Sequence, residues 1–201
     1  MEKLLVTGGT GLVGSSIDRG IKLNSKILDL RNWEKTNEYF SQQKPSHVIH
    51  CAAKVGGLGG NMNHKGEFFY DNIMMNTNVI EACRIHNIEK LVCFLSTCVF
   101  PNEIDYPLTE KKIHLGPPHN SNDAYSYAKR MADVQIRAYN EQYGVNYISV
   151  IPTNIYGPND NFDLKNGHVL PSLIHKCIFF SFYSSSISGL TSFFLFRRMR
   201  L

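Results

Sequence analysis

The stretch that decides the fold is Thr7-Gly8-Gly9-Thr10-Gly11-Leu12-Val13-Gly14, which completes the apolar run Lys3-Leu4-Leu5-Val6-Thr7. An apolar run that stops at a glycine cluster predicts a buried strand followed by a tight turn. The glycines allow that turn, let the backbone approach a pyrophosphate, and let a helix beginning near Leu12 pack closely on the sheet. A plain turn is the alternative. The position after an N-terminal strand favours a dinucleotide-binding loop.

Three further apolar runs resemble the first strand, at residues 47–52, 90–96 and 146–151. Amphipathic stretches at about residues 74–87 and 125–143 lie between them and predict helices. Parallel strands need crossover connections, which are usually helical. We therefore predict an α/β fold with a Rossmann-like, doubly wound parallel sheet that binds NAD(P).

The composition excludes several classes of protein. The 201 residues, 43% of them hydrophobic, suffice for one sizeable core. A formal net charge of +4, with charged residues at 19% of the chain, is too small for a nucleic-acid-binding surface. The five cysteines form no CxxC pair, and no secretory leader precedes the first strand, so we predict a cytoplasmic protein. No metal site is expected, because no thiols at zinc-finger spacing accompany the histidines.

The predicted sheet has little room for a second strand. A dinucleotide fold places an acidic residue about twenty residues beyond the glycine loop, and Asp29 is the only candidate. A helix, a turn and a strand must precede it, and residues 21–28 are barely long enough to complete them. We therefore do not expect Asp29 to bind the ribose.

Ser96, Tyr125 and Lys129 form the candidate catalytic set. Ser96 follows the strand at residues 91–95, at the edge where open parallel sheets bind ligands. Tyr125 and Lys129 lie four residues apart, on one face of a helix. A nearby ammonium should lower the pKa of the phenol, and a serine hydroxyl can hold a carbonyl or alcohol oxygen. Tyr127 is the competing phenol, but it lies on another face of the helix.

The glycine loop and Tyr-x-x-x-Lys resemble the extended short-chain dehydrogenase/reductase superfamily. Longer segments are similar to the GDP-L-fucose synthase family within it, over about residues 1–177. They include Cys51-Ala52-Ala53-Lys54-Val55-Gly56-Gly57, Leu95-Ser96-Thr97-Cys98-Val99-Phe100-Pro101, Pro117-Pro118-His119-Asn120-Ser121-Asn122, Pro152-Thr153-Asn154-Ile155-Tyr156-Gly157-Pro158 and Asp160-Asn161-Phe162, with Asn166-Gly167-His168-Val169-Leu170-Pro171.

The resemblance implies a reaction and its residues. Such an enzyme epimerises C3 and C5 of GDP-4-keto-6-deoxy-D-mannose and then reduces C4 with NADPH, giving GDP-L-fucose. Tyr125 would protonate the C4 oxygen, Lys129 would hold the nicotinamide ribose, and Ser96 would polarise the ketone. Cys98 and His168 match the family's acid–base pair for epimerisation. A thiol can serve in this way near neutral pH if its pKa is lowered.

The resemblance also implies binding residues and partners. Lys176 would contact the nucleotide-sugar substrate, the loop that starts at Lys54 would lie near the sugar, and the intact protein would be a homodimer. The residues expected to bind NADPH or NADP+ are Gly8, Gly9, Thr10, Gly11, Leu12, Val13, Gly14, Phe94, Leu95, Ser96, Thr97, Lys129, Pro152, Thr153, Asn154, Ile155 and His168.

Two departures from the family are expected to matter. The segment Asp29-Leu30-Arg31-Asn32 resembles the family's adenine-side Asp-Leu-x-Asp, so most of the first crossover helix and the second strand should be missing before it. Most of the C-terminal substrate domain should also be absent. We predict an NAD(P)-binding domain at 1–165, the start of a substrate region at 166–177, and an aberrant apolar, serine-rich tail at 178–201. The serines make this tail a poor membrane span.

Two alternative functions remain open on the sequence. One is another nucleotide-sugar epimerase or dehydratase of the same superfamily, which would lack Cys98 and His168 together. The other is a non-catalytic fragment that acts only by associating with a partner. The purified chain is expected to bind NADPH poorly, because the wall around the adenosine should be missing, and to be inactive on the keto sugar.

Overall fold

The computed structural model describes residues 2–164 and 167–186. Strands and helices alternate along the chain, with two short 3-10 helices at Thr97–Val99 and Glu110–Lys112. The strands are β1 (Leu4–Thr7), β2 (Ile21–Leu23), β3 (His47–His50), β4 (Lys90–Phe94) and β5 (Tyr147–Val150). The helices are α1 (Leu12–Ser15), α2 (Trp33–Gln43), α3 (Leu58–Asn63), α4 (Lys65–Ile85), α5 (Asp123–Tyr143) and α6 (Val169–Ser186).

The five strands form one parallel sheet in the order β2-β1-β3-β4-β5. The chain first moves outward from β1 to β2 and then returns to the other side of β1 as β3. The carboxyl ends of β1 and β3 therefore flank the point where the winding reverses, which is where open α/β sheets bind their ligands. The predicted Rossmann-like parallel sheet is confirmed.

The prediction that the second strand is missing is wrong. Residues Ile21–Leu23 form β2, which pairs with β1 in the register Leu5 with Ile21 and Thr7 with Leu23. The space between the glycine loop and Asp29 suffices because α1 has only four residues and β2 only three. The first crossover helix is short, as expected, but the sheet is continuous at β1.

Gly20 and Lys22 make this short crossover possible. Gly20 has φ of +92°, and a Cβ there would lie 2.9 Å from the carbonyl oxygen of Leu4, so the turn into β2 requires glycine. The Lys22 ammonium donates to the carbonyl of Gly14 at 2.6 Å and also to that of Ile17. A cation at the carboxyl end of a helix satisfies carbonyls that a longer helix would have bonded itself.

The later crossovers use full-length helices. In α5, Ala128, Ala132 and Ile136 recur at four-residue intervals and are buried, which is the pattern of a helix packed on a sheet. The left-handed Gly144 ends α5 and donates its N–H to Asn140. Helix α4 packs against both α2 and α5, and it begins nine residues before the predicted helix. These contacts fix α5 beside the end of β4.

Helix α6 crosses the predicted boundary between residues 177 and 178 without a break. Residues 187–201, which form most of the predicted aberrant tail, lie outside the described residues, as do 165 and 166. The division into domains therefore stays a prediction. In the part of the chain that the structure describes, no helix combines the length and apolarity that a membrane crossing needs.

Candidate active site

The glycine loop forms a tight turn between β1 and α1. Gly8 has φ of +66°, and a Cβ there would lie 2.7 Å from the backbone nitrogen of Ala52, just beyond β3. A Cβ on Gly14 would lie 2.2 Å from the Gly8 oxygen. The Gly9 N–H donates to the Leu23 carbonyl at 2.9 Å and so ties the loop to β2. The first N–H groups of α1 have no acceptor within the helix and face the turn, as a phosphate site requires.

The end of β4 brings Ser96 and Cys98 to the carboxyl edge of the parallel sheet, which also bears the glycine loop and forms the candidate cleft. After Phe94 the chain turns into the 3-10 helix Thr97–Val99, and Ser96 precedes it in an extended conformation. The Ser96 Oγ lies 3.5 Å from the Cys98 N–H, in capping position. The side chains of Ser96 and Cys98 are half-buried. The hydroxyl and the thiol therefore leave one strand end within two residues of each other.

Lys129 joins α5 to the same strand end. Its side chain is buried, with 1% of the residue exposed, and its ammonium donates to the Phe94 carbonyl at 2.8 Å. The ammonium also lies 5.9 Å from the centroid of the Tyr125 ring. Tyr125 and Lys129 thus share one face, as the four-residue spacing predicts. Tyr127 is more exposed and packs instead against Arg130, with 5.5 Å between guanidinium and ring centroid.

The electrostatics at Tyr125 differ from the expectation. Burial raises the pKa of Tyr125 well above its usual range, and the neighbouring thiols Cys98 and Cys93 add to this rise. Burial likewise lowers the pKa of Lys129. The predicted lowering of the Tyr125 pKa is wrong because desolvation of the buried phenol is the largest influence on it. Tyr125 is therefore fully protonated near neutral pH and can donate its proton.

A buried polar network that the sequence analysis missed lies at the end of β3. His50 is fully buried, with its Nδ1 2.7 Å from the Thr7 hydroxyl and its Nε2 3.0 Å from the Asn76 side-chain oxygen. The Thr7 hydroxyl also accepts the Ala52 N–H at 3.3 Å. Burial, and secondarily the Lys129 charge, lower the pKa of His50 to about 3. The ring is therefore neutral and joins β1, β3 and α4 beneath the cleft.

His168 lies on the segment that precedes α6. Its Nδ1 is 2.9 Å from the Asp160 Oδ1, and 42% of its side chain is exposed. The structure does not bring His168 into hydrogen-bond contact with Cys98: among the described residues, Asp160 is its side-chain partner. The acid–base pairing of Cys98 and His168 stays a prediction.

The remaining predicted residues lie on other segments. Pro152 is half-buried after β5, and Thr153, Asn154 and Ile155 are exposed. Lys176 is exposed on α6. Lys54 is held by Glu67 at 2.8 Å and Asp71 at 2.9 Å, so its charge is already paired. The described residues contain no group of side chains that could hold a metal ion.

The sequence profile of the NAD dependent epimerase/dehydratase family matches residues 17–178 of this chain. The chain belongs to that family. It is 53% identical to the GDP-L-fucose synthase of Dictyostelium discoideum over 184 residues, which are 86% of this chain and 58% of the relative. It is 46% identical to the probable GDP-L-fucose synthase of Drosophila melanogaster, over 88% of this chain and 58% of that protein.

A solved structure of the family shows the same fold. The GDP-L-fucose synthetase of Naegleria fowleri bound to NADP superimposes with a TM-score of 0.85 at 45% identity, covering 91% of this chain and 59% of that one. The chain thus spans somewhat more than half the length of these relatives. What it shares with the solved structure is the fold of the parallel sheet and its helices.

Three polar residues that the sequence analysis did not single out follow β2. Asn24, Ser25 and Lys26 follow β2 at its carboxyl end, and the Lys26 N–H donates to the Asn24 Oδ1 at 3.0 Å. Hydroxyl and ammonium groups at this strand end suit a ribose phosphate. The signal was three polar residues after Ile21, Lys22 and Leu23, but a strand of three residues was too short to be recognised.

Asp29 has a different role. Its carboxylate forms a forked pair with Arg31, with 2.7 Å between the Arg31 Nη2 and the Asp29 Oδ2. Arg31 forms a second ion pair with Asp71, with 2.8 Å between Nη1 and Oδ1. The Arg31 hydrogen bond holds the pKa of Asp29 below its usual value. These pairs agree with the expectation that Asp29 is not a ribose ligand.

Proposed function

We propose that this chain is the cofactor-binding and catalytic part of a GDP-L-fucose synthase, acting on GDP-4-keto-6-deoxy-D-mannose with NADPH. The observation that carries the proposal is the bond from the buried Lys129 ammonium to the Phe94 carbonyl, at 2.8 Å. It sets Tyr125 beside the strand end that bears Ser96 and Cys98. The relatives named GDP-L-fucose synthase support the choice of substrate.

The residues present fit the cofactor. The glycine loop has no room for a Cβ at Gly8 or Gly14, so its backbone can lie against a pyrophosphate. Ser25 and Lys26 would bind the 2′-phosphate, Lys129 the nicotinamide ribose, and residues 152–155 the nicotinamide. When bound, NADPH supplies the hydride that reduces C4.

Reduction needs a proton donor and a group that holds the ketone. Tyr125 keeps its proton because burial raises its pKa, so it can donate to the C4 oxygen as negative charge develops there. Ser96 donates a hydrogen bond to the same oxygen. The fixed Lys129 charge stabilises the phenolate that remains after the proton has left.

Epimerisation needs two groups on opposite faces of the sugar. Carbons C3 and C5 flank the C4 ketone, so loss of a proton from either gives an enolate. In the proposal Cys98 exchanges protons on one face and His168 on the other. Cys98 is well placed because it leaves β4 two residues after Ser96, next to the oxygen that Ser96 holds.

The partners follow from the same proposal. Lys176 would contact the anionic nucleotide sugar, and the intact protein would act as a homodimer in the cytoplasm. All five cysteines are unpaired, which agrees with a reducing compartment. Because β2 is present, we now expect the purified chain to bind NADPH, contrary to the sequence-based expectation, but to lack turnover without the part of its relatives that it does not span.

The test uses a chimera in which residues 178–201 are replaced by the corresponding and following part of the Dictyostelium discoideum relative. Tyr125→Phe should lower NADPH oxidation by the keto sugar about a hundred- to ten-thousandfold, the size of a general acid's contribution. The matched control Tyr127→Phe should retain turnover. Near-normal turnover in Tyr125→Phe would contradict the catalytic assignment, and a folded, NADPH-binding chimera without activity would contradict the proposed function.

A further inference from the structure

Asp160 and His168 form a carboxylate–imidazole pair with unequal exposure. The Asp160 side chain is 3% exposed and the His168 side chain 42% exposed. Asp160 Oδ1 accepts two hydrogen bonds, one from the Asn161 N–H at 2.7 Å and one from His168 Nδ1 at 2.9 Å. The carboxylate is therefore buried behind the ring, and part of the imidazole remains open to solvent.

This contact determines the tautomer of His168. An ionised carboxylate can only accept hydrogen bonds, so the Nδ1 that faces it must carry the proton. In the neutral ring Nε2 is then the nitrogen with a free lone pair. A proton taken from a substrate carbon, or returned to one, can pass only through this second nitrogen.

The surroundings hold the pair in place. Asn159, with φ of +66°, donates from its side-chain amide to the Ser15 Oγ at 3.2 Å, which anchors the segment to α1. At Gly167 a Cβ would lie 2.4 Å from the Asp163 oxygen, so the backbone next to His168 is tightly packed. The ring is thus positioned by its own segment and that segment by the helix after the glycine loop.

Asp160 also lowers the stability of the folded protein, which a residue chosen only for packing would not do. Its Oδ2 is buried and has no hydrogen-bond partner among the described residues. A buried, unpartnered oxygen of a charged group destabilises the folded state, and an apolar residue at this position would avoid that penalty. A carboxylate is nevertheless the group that orients an imidazole and stabilises it when it becomes charged.

We propose that Asp160 is a positioning residue for His168, fixing the Nδ1–H tautomer so that Nε2 exchanges the proton at a ring carbon next to the ketone. The positioning stands on the geometry alone, and the exchange step rests on the proposed function. The sequence places Asp160 in a segment that resembles the family but gives it no role, since Asp160-Asn161 is also a common turn pair.

The first experiment measures the tautomer directly in the full 201-residue chain. Histidine rings labelled with ¹³C and ¹⁵N are observed by NMR at a pH high enough that the rings are neutral, and His168→Gln identifies the signal. The parent should show the Nδ1–H tautomer. Asp160→Ala should lose this signature, whereas Asp160→Asn should keep it, because the Asn161 N–H selects the amide oxygen for the shared position.

The exposed Asp105→Asn provides a control with the same change of charge, and the other seven histidine signals report on folding. An Nε2–H tautomer in the parent, or an unchanged tautomer in a folded Asp160→Ala, would overturn the positioning. If Asp160→Ala fails to fold, the parent and Asp160→Asn still decide the point, because loss of the Nδ1–H tautomer in folded Asp160→Asn would also contradict it.

The second experiment follows solvent deuterium entering C3 and C5 of the keto sugar in the chimera. Asp160→Ala should slow exchange about tenfold or more, as when the orienting carboxylate of a functional histidine is removed, while NADPH affinity stays unchanged. Exchange that needs His168 but not Asp160 would overturn the proposal. No exchange in the folded parent chimera, together with the expected tautomers, would instead refute the proposed function and leave the positioning intact.

Discussion

The first crossover of the sheet and the fourth are built in opposite ways. Between β1 and β2 the helix has four residues, whereas α5, between β4 and β5, has twenty-one. The long helix is held by a buried apolar face, but the short one relies on Gly20 and on Lys22 binding the carbonyls of Gly14 and Ile17. The comparison shows that single residues can replace a helix face where the chain needs only to reach the neighbouring strand.

The largest effect is expected from filling the short crossover. In Gly14→Ala the new Cβ would lie 2.2 Å from the Gly8 oxygen, and backbone atoms on both sides prevent relaxation. Overpacking typically costs about 1–3 kcal/mol, and we expect the upper end here together with loss of NADPH binding. Urea unfolding and fluorescence titration with NADPH measure the two quantities.

Gly66 provides the control on a long helix. A Cβ there would meet no atom within 4 Å, and Gly66 lies in the first turn of α4. Gly66→Ala should therefore stabilise the protein by about 0.5–1 kcal/mol. Similar responses to alanine at both positions would show that the glycine loop is not sterically constrained.

The long crossovers could be predicted from the sequence and the short one could not, because only the long ones carry a hydrophobic period. The long crossovers were predictable because Ala128, Ala132 and Ile136 repeat at helical spacing, and the shared face of Tyr125 and Lys129 followed from the same period. The short crossover has no period to read: β2 contains only Ile21, Lys22 and Leu23, and Lys22 acts through a tertiary contact. The expectation of a missing strand came from matching Asp29-Leu30-Arg31-Asn32 to a later family segment, and from assuming a helix and a strand of ordinary length before it.

The second prediction concerns the network where β1 and β3 meet. His50 has a pKa of about 3 in the folded protein, against an ordinary value near 6.5. Between these values the unfolded chain binds a proton that the folded chain does not, so stability falls as the pH falls through this window. From pH 6.5 to pH 5 the loss from His50 should be about 1.5 kcal/mol.

His50→Gln removes this titration. The variant should be less stable than the parent at pH 8, because the bonds to Thr7 and Asn76 are altered, but its stability should fall less steeply below pH 6.5. Between pH 7 and pH 8, above the window, the two slopes should agree. Equal slopes in acid, from urea unfolding at each pH, would mean that His50 is protonated in the folded protein.

The third prediction tests the residue that completes the short crossover. Lys22→Met keeps the aliphatic stem but removes the donor to Gly14 and Ile17. We expect a loss of about 1–2 kcal/mol, because Lys22 is only half-buried and water can replace part of the interaction. The exposed Lys26→Met should leave the urea midpoint unchanged. A loss in Lys26→Met as large as in Lys22→Met would indicate a general effect of charge.

The site could be predicted where one element supplies several groups and could not where the groups come from distant segments. Ser96 and Cys98 share one strand end, and Tyr125 and Lys129 share one helix face. The His50 network joins β1, β3 and α4, and its partners Thr7 and Asn76 lie far apart in sequence. The raised pKa of Tyr125 was missed for a related reason, since burial depends on the whole fold rather than on the spacing to Lys129.

The smallest effect should come from Asp29, at the far end of the segment after β2. Asp29→Asn removes one partner of Arg31, but Arg31 keeps Asp71, and the side chains of Asp29 and Arg31 are about half exposed. Exposed pairs contribute about 0–1 kcal/mol, and an asparagine oxygen can still accept the Arg31 N–H. The stability change should therefore be below about 1 kcal/mol and shrink further with added salt.

NADPH titration separates the two candidate adenosine contacts, Asp29 and Lys26. NADPH affinity should be unchanged in Asp29→Asn and weaker in Lys26→Met, whereas NADH affinity should be unchanged in both variants. A larger loss in Asp29→Asn, shared by NADH, would make Asp29 the ribose ligand after all and move the adenosine wall from the end of β2 to the segment that follows it.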